Sequence, residues 1–220
     1  WQFTPNNLAY ATYSQGFRAG GVNPAVPPGT CAQDLADLGL TGIGVPKTVD
    51  NDIQYVSRTF GYGTAVEAAR ATIDVAHTEA RAVFNGVGMV KLMGRDSGFI
   101  AVGATLASGE VNFCLIPEQE VYLGGPRGLL KVLEERLARK RHAVIVVAEG
   151  AGQDLIAAES KERDASGNIK FADIGVYLKD RINAHFQALG QPINVRYIDP
   201  SYYIRGLAAN TEDAVLCDML

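Results

Sequence analysis

Cysteine is scarce in this chain of 220 residues: Cys31, Cys114 and Cys217 stand far apart, an odd set with no Cys-x-x-Cys spacing. That pattern argues against a disulfide framework or a zinc site and fits a reducing cytoplasm, with the three thiols read as small apolar residues. Long apolar runs are missing too. No stretch approaches the roughly 20 apolar residues that a membrane-crossing helix needs, and Trp1 starts no recognisable signal peptide. The chain also lacks a strong excess of one charge. Its net charge of −4 gives no global attraction to nucleic acid or to an anionic membrane, so neither is expected as a partner. Neither an internal repeat nor a low-complexity segment is present. With 47% hydrophobic and 20% charged residues, the chain reads as globular, with one full core or two small lobes.

Two textures divide what is there. Leu8 to Phe17 alternates, with Leu8, Tyr10, Thr12 and Ser14 on one face and Ala9, Ala11, Tyr13 and Gln15 on the other. That is the period of an antiparallel strand open to two environments. A Gly/Pro-rich loop follows, from Gly20-Gly21 through Pro27-Pro28-Gly29. From residue 31 the texture changes. Strands are predicted at Gly42–Val45, Val87–Met93, Phe113–Ile116, Ala143–Ala148 and Val195–Ile198. Helices are predicted between them, at Gly63–Val83, Ser97–Leu106, Pro126–Arg139 and Ile174–Leu189. The first of these carries Ala65, Val66, Ala69, Ile73, Ala76 and Ala80 on one stripe. A last helix begins at Asn210, a plausible N-cap, with Glu212 and Asp213 in its first turn. Asp154 to Lys170 reads as a surface excursion around a polar turn. Strands separated by amphipathic helices imply a doubly wound α/β fold with a parallel sheet covered on both faces.

In such sheets ligands bind at the carboxyl ends of the strands. Four predicted strands end in residues suited to chemistry: Pro46-Lys47-Thr48-Val49-Asp50-Asn51-Asp52, Gly94-Arg95-Asp96-Ser97-Gly98, Glu149-Gly150-Ala151-Gly152-Gln153, and Asp199-Pro200-Ser201-Tyr202-Tyr203-Ile204-Arg205. Asp50 and Asp52, two residues apart, suit proton acceptance and the holding of hydrated Mg²⁺. Lys47 and Arg95 bring positive charge to a migrating phosphoryl group, and Thr48 offers a hydroxyl. Glu149 suits sugar hydroxyls, and Arg196 and Arg205 suit a phosphate. Each alone has a plainer reading. Asp-x-Asp is also a capped turn, Gly94-Arg95 a simple βα junction, Glu149 a helix cap, and the arginines a solvated surface. His77, His142 and His185 read as structural or solvated and receive no catalytic role.

With these four motifs, and Phe60-Gly61-Tyr62-Gly63-Thr64-Ala65-Val66-Glu67, the chain resembles the 6-phosphofructokinase family over residues 31–220. The likeness is greatest to its plant-type ATP-dependent and pyrophosphate-dependent members. The resemblance implies phosphoryl transfer from ATP to the 1-hydroxyl of fructose 6-phosphate, with Mg²⁺ as cofactor, in a cytoplasmic dimer or tetramer. It implies Asp50 as general base, Asp52 as the acid that organises Mg²⁺ indirectly, Thr48 beside the reacting hydroxyl, and Arg95 steadying the transition state. Met93 and Gly94 border the sugar, Glu149 holds sugar hydroxyls, Tyr202 and Arg205 contact the 6-phosphate, and Arg196 aligns with a further contact.

The departures carry information as well. Bacterial ATP-dependent members have Gly where this chain has Lys47, a residue shared by pyrophosphate users and plant-type ATP enzymes, so the donor stays open between ATP and pyrophosphate. Asn85-Gly86 stands in a turn where bacterial members place a phosphate-binding arginine. The family's Gly-Gly-Asp donor loop has no counterpart upstream of residue 31. The expected organisation is therefore a phosphofructokinase-type fold incomplete at both ends: 1–30 an unrelated segment, 31–110 the remainder of the first lobe with the catalytic loop, and 111–220 part of a sugar-phosphate-binding lobe. Leu8 to Asn23 resembles a strand and turn of a TonB-dependent outer-membrane receptor. Besides the kinase, the sequence leaves a pyrophosphate-dependent phosphotransferase, a non-catalytic sugar-phosphate-binding fragment, and a barrel remnant.

Overall fold

The computed structural model describes residues 2–4, 7, 8, 45–156 and 171–219. Near the amino terminus β1 (Gln2–Thr4) and β2 (Asn7–Leu8) pair antiparallel in a two-stranded ladder of their own. Beyond Leu8, the alternating strand expected up to Phe17 lies outside the described residues. So do Gly42 to Gly44 of the next expected strand, and Val45 is not part of a strand.

Among the described residues the main sheet has four strands: β3 (Gly86–Leu92), β4 (Phe113–Leu115), β5 (His142–Ala148) and β6 (Asn194–Ile198). All pair parallel, in the order β4-β5-β3-β6. Around it run α1 (Tyr62–Ala82), α2 (Phe99–Ser108), α3 (Leu129–Lys140), α4 (Ile174–Ala188), the short α5 (Ser201–Arg205) and α6 (Thr211–Asp218). Successive side chains of a strand point to opposite faces, so a continuous apolar run feeds two cores. Val87, Met89, Ile145 and Val147 pack with Leu133 and Leu137 of α3 and with Leu178, Ile182 and Phe186 of α4. Val90, Leu92, Val144 and Val146 pack with Ala65, Ala69, Ile73 and Ala76 of α1 and with Ile100 and Ala104 of α2. The expected doubly wound α/β fold is present.

Small residues set how closely α1 lies on the sheet. A Cβ added to Gly86 would stand 2.1 Å from the Ala80 carbonyl oxygen, and one on Gly88 would stand 2.4 Å from that of Ala76. The alanine stripe of α1 and the glycines of β3 therefore form one close contact. The predicted stripe holds with one exception: Val66 is half-buried, and Ala68 joins the core in its place. Asn210 caps α6 as expected, accepting from Asp213 N at 3.0 Å. Asp173 caps α4, accepting from Gly175 N at 3.0 Å and Val176 N at 3.2 Å.

Three features differ from the sequence reading. Residues 201–205, expected as a strand-end loop, form α5. The excursion from Asp154 begins with a 3-10 turn at Gln153–Leu155, and residues 157–170 lie outside the described residues. The sheet also crosses position 110, because β3 is flanked by β5 and β6 from the second half.

Cys114 is half-buried and Cys217 exposed, both as free thiols, while Cys31 lies outside the described residues. The histidines are structural: His185 pairs with Glu134 at 2.6 Å, and His77 faces Glu110 at 3.4 Å with its ring 5.5 Å from that of His142. No helix among the described residues is long and apolar enough to cross a membrane.

Candidate active site

Register decides what meets at the carboxyl ends of the strands. Leu92 of β3 pairs with Ala148 of β5, so the turns that follow both strands start side by side. Glu149 N donates to the Leu92 carbonyl at 2.9 Å, and Arg95 N donates to Glu149 Oε1 at 3.0 Å. A Cβ on Gly150 would stand 1.9 Å from the Arg95 carbonyl oxygen, so only glycine allows the two turns to touch. The Gln153 amide closes the second turn, donating to the Glu149 carbonyl at 2.7 Å and to the Ala172 carbonyl at 3.0 Å. In the first turn Gly94 has φ 142° and Arg95 φ 39°. A non-glycine residue held in the left-handed region is a strained feature of the kind that clusters at functional sites.

The acidic loop is pinned from both sides. Thr48 is buried, and its hydroxyl oxygen accepts from Asp50 N at 3.1 Å. Asn51, at φ 58°, turns its Oδ1 toward Thr59 and accepts from the backbone N at 2.9 Å and the hydroxyl at 3.2 Å. Val49 packs against the core beside α1. The Ser97 hydroxyl joins this loop to the Arg95 turn, with its oxygen 3.2 Å from the Asp50 carbonyl and 2.9 Å from that of Gly94. The sequence motif gives Ser97 no role of its own. The available signal was a small hydroxyl two residues after a strand-end arginine.

Asp50 is the centre of the group. Its carboxylate is half-buried, and its Oδ1 is sealed from solvent without a hydrogen-bond partner. Burial first, then the charges of Asp52 and Glu149, push its pKa up to about 6, while Arg205 and Arg95 pull the other way. Asp52, Arg95, Glu149 and Arg205 are thus all within electrostatic reach of Asp50. Met93 and Gly94 lie buried beneath the same turn, and Lys47 is exposed at the start of the acidic loop. Tyr202 stands on α5 almost wholly exposed, one turn before Arg205.

Arg196 is not brought to this group. It is exposed, mid-strand on β6 and paired with Gly88. Gly88 precedes Met93 by about 16 Å of strand at 3.3 Å per residue. The strand of Arg196 is the expected one, and its height along the sheet is set by its pairing with Gly88. No set of three or more His, Cys, Asp or Glu side chains gathers as a metal site among the described residues. The half-buried carboxylates of Asp50 and Asp52, two residues apart, would instead suit a hydrated Mg²⁺ held through water. A cavity of about 650 Å³ between α1 and α6, lined by Arg58, Tyr62, Glu67, Arg70, Asn210 and Glu212 among others, includes none of these residues.

This arrangement has a carboxylate of raised proton affinity with two further carboxylates and two arginines within electrostatic reach of it. The family model described as phosphofructokinase matches residues 29–220. The ATP-dependent 6-phosphofructokinase of Borreliella burgdorferi is 48% identical over 190 residues, covering 84% of this chain and 42% of that protein. The ATP-dependent 6-phosphofructokinase 5, chloroplastic, of Arabidopsis thaliana is 50% identical over 178 residues, covering 81% of this chain and 33% of that protein. The chain therefore spans between a third and a half of the length of these relatives. Among solved structures, a pyrophosphate-dependent phosphofructokinase from Marinobacter aquaeolei superposes with a TM-score of 0.59 at 23% identity, over 84% of this chain and 44% of that one. Phosphofructokinase from Saccharomyces cerevisiae gives 0.59 at 24% identity, over 86% and 24%. The two structures share the fold.

Proposed function

The chain belongs to the phosphofructokinase family, and from that premise we propose that it carries the sugar-phosphate side of a 6-phosphofructokinase. The reaction transfers a phosphoryl group from ATP to the 1-hydroxyl of fructose 6-phosphate and yields fructose 1,6-bisphosphate. Asp50 carries the proposal: a half-buried carboxylate at a strand-end loop with a pKa raised to about 6 is a general base tuned toward neutral pH.

In this mechanism Asp50 takes the hydroxyl proton as the sugar oxygen bonds to the terminal phosphorus of the donor and the bond from that phosphorus to ADP breaks. Arg95 faces the charge on the phosphoryl oxygens, where fixed positive charge stabilises the transition state. Thr48, which fixes the Asp50 backbone, sets the direction of the carboxylate. Glu149 commits Oε1 to Arg95 N, leaving Oε2 for a sugar hydroxyl. Met93 and Gly94 border the sugar, and Tyr202 and Arg205 take its 6-phosphate. Arg196, exposed on the edge strand, serves the site of a neighbouring copy in a homodimer or tetramer. Asp52 would hold hydrated Mg²⁺ indirectly, and the ion when bound would neutralise donor phosphate charge. The assignment of 31–110 and 111–220 to two lobes, which would share one sheet across position 110, and a cytoplasmic location belong to the same proposal.

Pyrophosphate as donor is the second reading, motivated by Lys47 exposed at the start of the loop. The test is Mg²⁺-dependent phosphorylation of fructose 6-phosphate, run in parallel with ATP and pyrophosphate, with equilibrium binding of the sugar phosphate measured alongside. Turnover with ATP supports the proposal, and turnover with pyrophosphate alone replaces it with the second reading. Saturable binding without turnover leaves a sugar-phosphate-binding protein. Absence of both overturns the functional reading.

A further inference from the structure

Lys91 is the one charged residue in β3, a strand whose other residues are glycine or apolar. Its side chain is 13% exposed, and its ammonium sits 2.9 Å from Asp199 Oδ2 and 3.2 Å from Asp173 Oδ2. The Tyr197 hydroxyl donates to Asp173 Oδ1 at 2.8 Å. Four polar side chains from β3, β6 and the residues flanking β6 and α4 thus share one partly buried network. Burial works against the ammonium, but the Asp199 hydrogen bond, Tyr197 and the two carboxylates outweigh it and raise its proton affinity. Lys91 is therefore a fixed cation at any physiological pH.

What this network holds is informative. Asp199 turns one oxygen to Lys91 and the other to Ser201, accepting from its backbone N at 3.1 Å and its hydroxyl at 2.6 Å. Ser201 is the first residue of α5, the helix that carries Tyr202 and Arg205. Ile204 presses one side of α5 into the core, but a single apolar anchor leaves the helix free to slide and turn. The carboxylate of Asp199 supplies the second anchor, at the start of the helix. Lys91 in turn stands two residues before Met93 in the strand that delivers Gly94 and Arg95.

We propose that Lys91 is a positioning residue: through Asp199 it sets α5, and so the Tyr202–Arg205 pair, at a fixed distance from the Gly94–Arg95 turn. Resting on the functional reading above, the consequence is that Lys91 governs affinity for the phosphate end of the sugar without touching it. Asp173, capping α4 and bonded to Tyr197, steadies the opposite side of Lys91. A Cβ on Gly175 would stand 2.1 Å from the Tyr197 ring, so glycine at the first turn of α4 is what allows that contact.

The test compares wild type with Lys91→Met and Lys91→Arg by hydrogen–deuterium exchange and by steady-state kinetics with fructose 6-phosphate. Lys91→Met is expected to speed exchange of the α5 amides by about tenfold or more while α1 and α3 keep their protection. It is expected to raise KM for fructose 6-phosphate by roughly tenfold with kcat within about twofold, and Lys91→Arg is expected to restore most of both. Ser201→Ala removes the shorter of the two bonds between Asp199 and α5 and leaves the backbone N bond, without disturbing a buried charge, so a smaller rise in α5 exchange in that variant carries the same test if Lys91→Met fails to fold. Unchanged α5 exchange in a folded variant overturns the proposal. So does a loss of kcat equal to the rise in KM, or general loosening of α1 and α3. If the wild type neither binds nor turns over fructose 6-phosphate, the functional reading fails, and α5 exchange alone decides whether Lys91 sets that helix.

Discussion

Replacing Asp50 with asparagine separates function from stability. The native carboxyl has a pKa of about 6 against an ordinary 3.8. At about 1.36 kcal/mol per tenfold change in proton affinity, the ionised group costs the folded state on the order of 3 kcal/mol as an upper bound. The sign follows from proton counts. Between pH 3.8 and about 6 the folded chain holds a proton that the unfolded chain has released, so stability falls as pH rises through that window. Above about 6 the full cost is present. Asp50→Asn removes the charge and with it most of the cost, although the amide inherits a place where Oδ1 has no partner and where Arg95 and Arg205 lose an anion. A net gain of about 1–2 kcal/mol at pH 8 is expected, which at this chain length raises Tm by roughly 2–8 °C. At pH 5 the wild-type carboxyl is itself largely protonated, and the difference shrinks toward zero. Phosphoryl transfer meanwhile drops by about 10²–10⁴-fold, the contribution usual for a positioned base. Calorimetry at pH 5 and pH 8, with turnover measured on the same preparations, decides the matter. Equal Tm differences at both pH values refute the burial argument, and retained turnover refutes the base assignment.

Three further outcomes are expected. Arg205→Ala removes one of the two cations that hold down the Asp50 pKa, so the acid limb of the kcat/KM pH profile moves to higher pH; an unmoved limb counts against their proximity. Ser97→Ala unties the Asp50 carbonyl from the Gly94 turn, and is expected to cost about 1 kcal/mol of stability by calorimetry and about tenfold or more in kcat through misalignment. Gly150→Ala drives a Cβ to within 1.9 Å of the Arg95 carbonyl oxygen, and denaturant unfolding is expected to show a loss of about 1–3 kcal/mol typical of overpacking, together with lost turnover.

The sheet and its helices were legible because their signals are local. Apolar runs of strand length at 87–92 and 143–148, the alanine spacing of α1, and the Asn210 cap each need only neighbours in sequence to be read. Convergence of the site was legible only in part. That Asp50, Arg95, Glu149 and Arg205 lie at strand ends follows from the pattern, but their meeting depends on register, above all on Leu92 pairing with Ala148. Arg196 shows the limit: the strand was right, yet its height along the sheet is set by pairing with Gly88, which no periodicity encodes. Lys91 left a visible trace, a charge in an apolar strand, whose partners at 173 and 199 lie 82 and 108 positions away and become readable only in three dimensions.

The site is assembled from backbone more than from side chains, and this explains how a carboxylate as costly as Asp50 is tolerated. Thr48 holds the Asp50 backbone N, Asn51 is locked to Thr59, Ser97 holds the Asp50 carbonyl, and Glu149 holds Arg95 N. Every one of these bonds fixes the main chain around Asp50 while leaving its Oδ1 unpartnered. If the carboxylate itself were the keystone, its ionisation would loosen the loop. Because neighbours carry the loop, ionisation strains only the carboxylate, and a donor that reaches its other oxygen, Oδ2, would relieve part of that cost. A sugar hydroxyl is such a donor. The same logic places the Lys91 network two residues outside the turn: it holds α5 at a distance and leaves Arg205 exposed to meet an incoming anion.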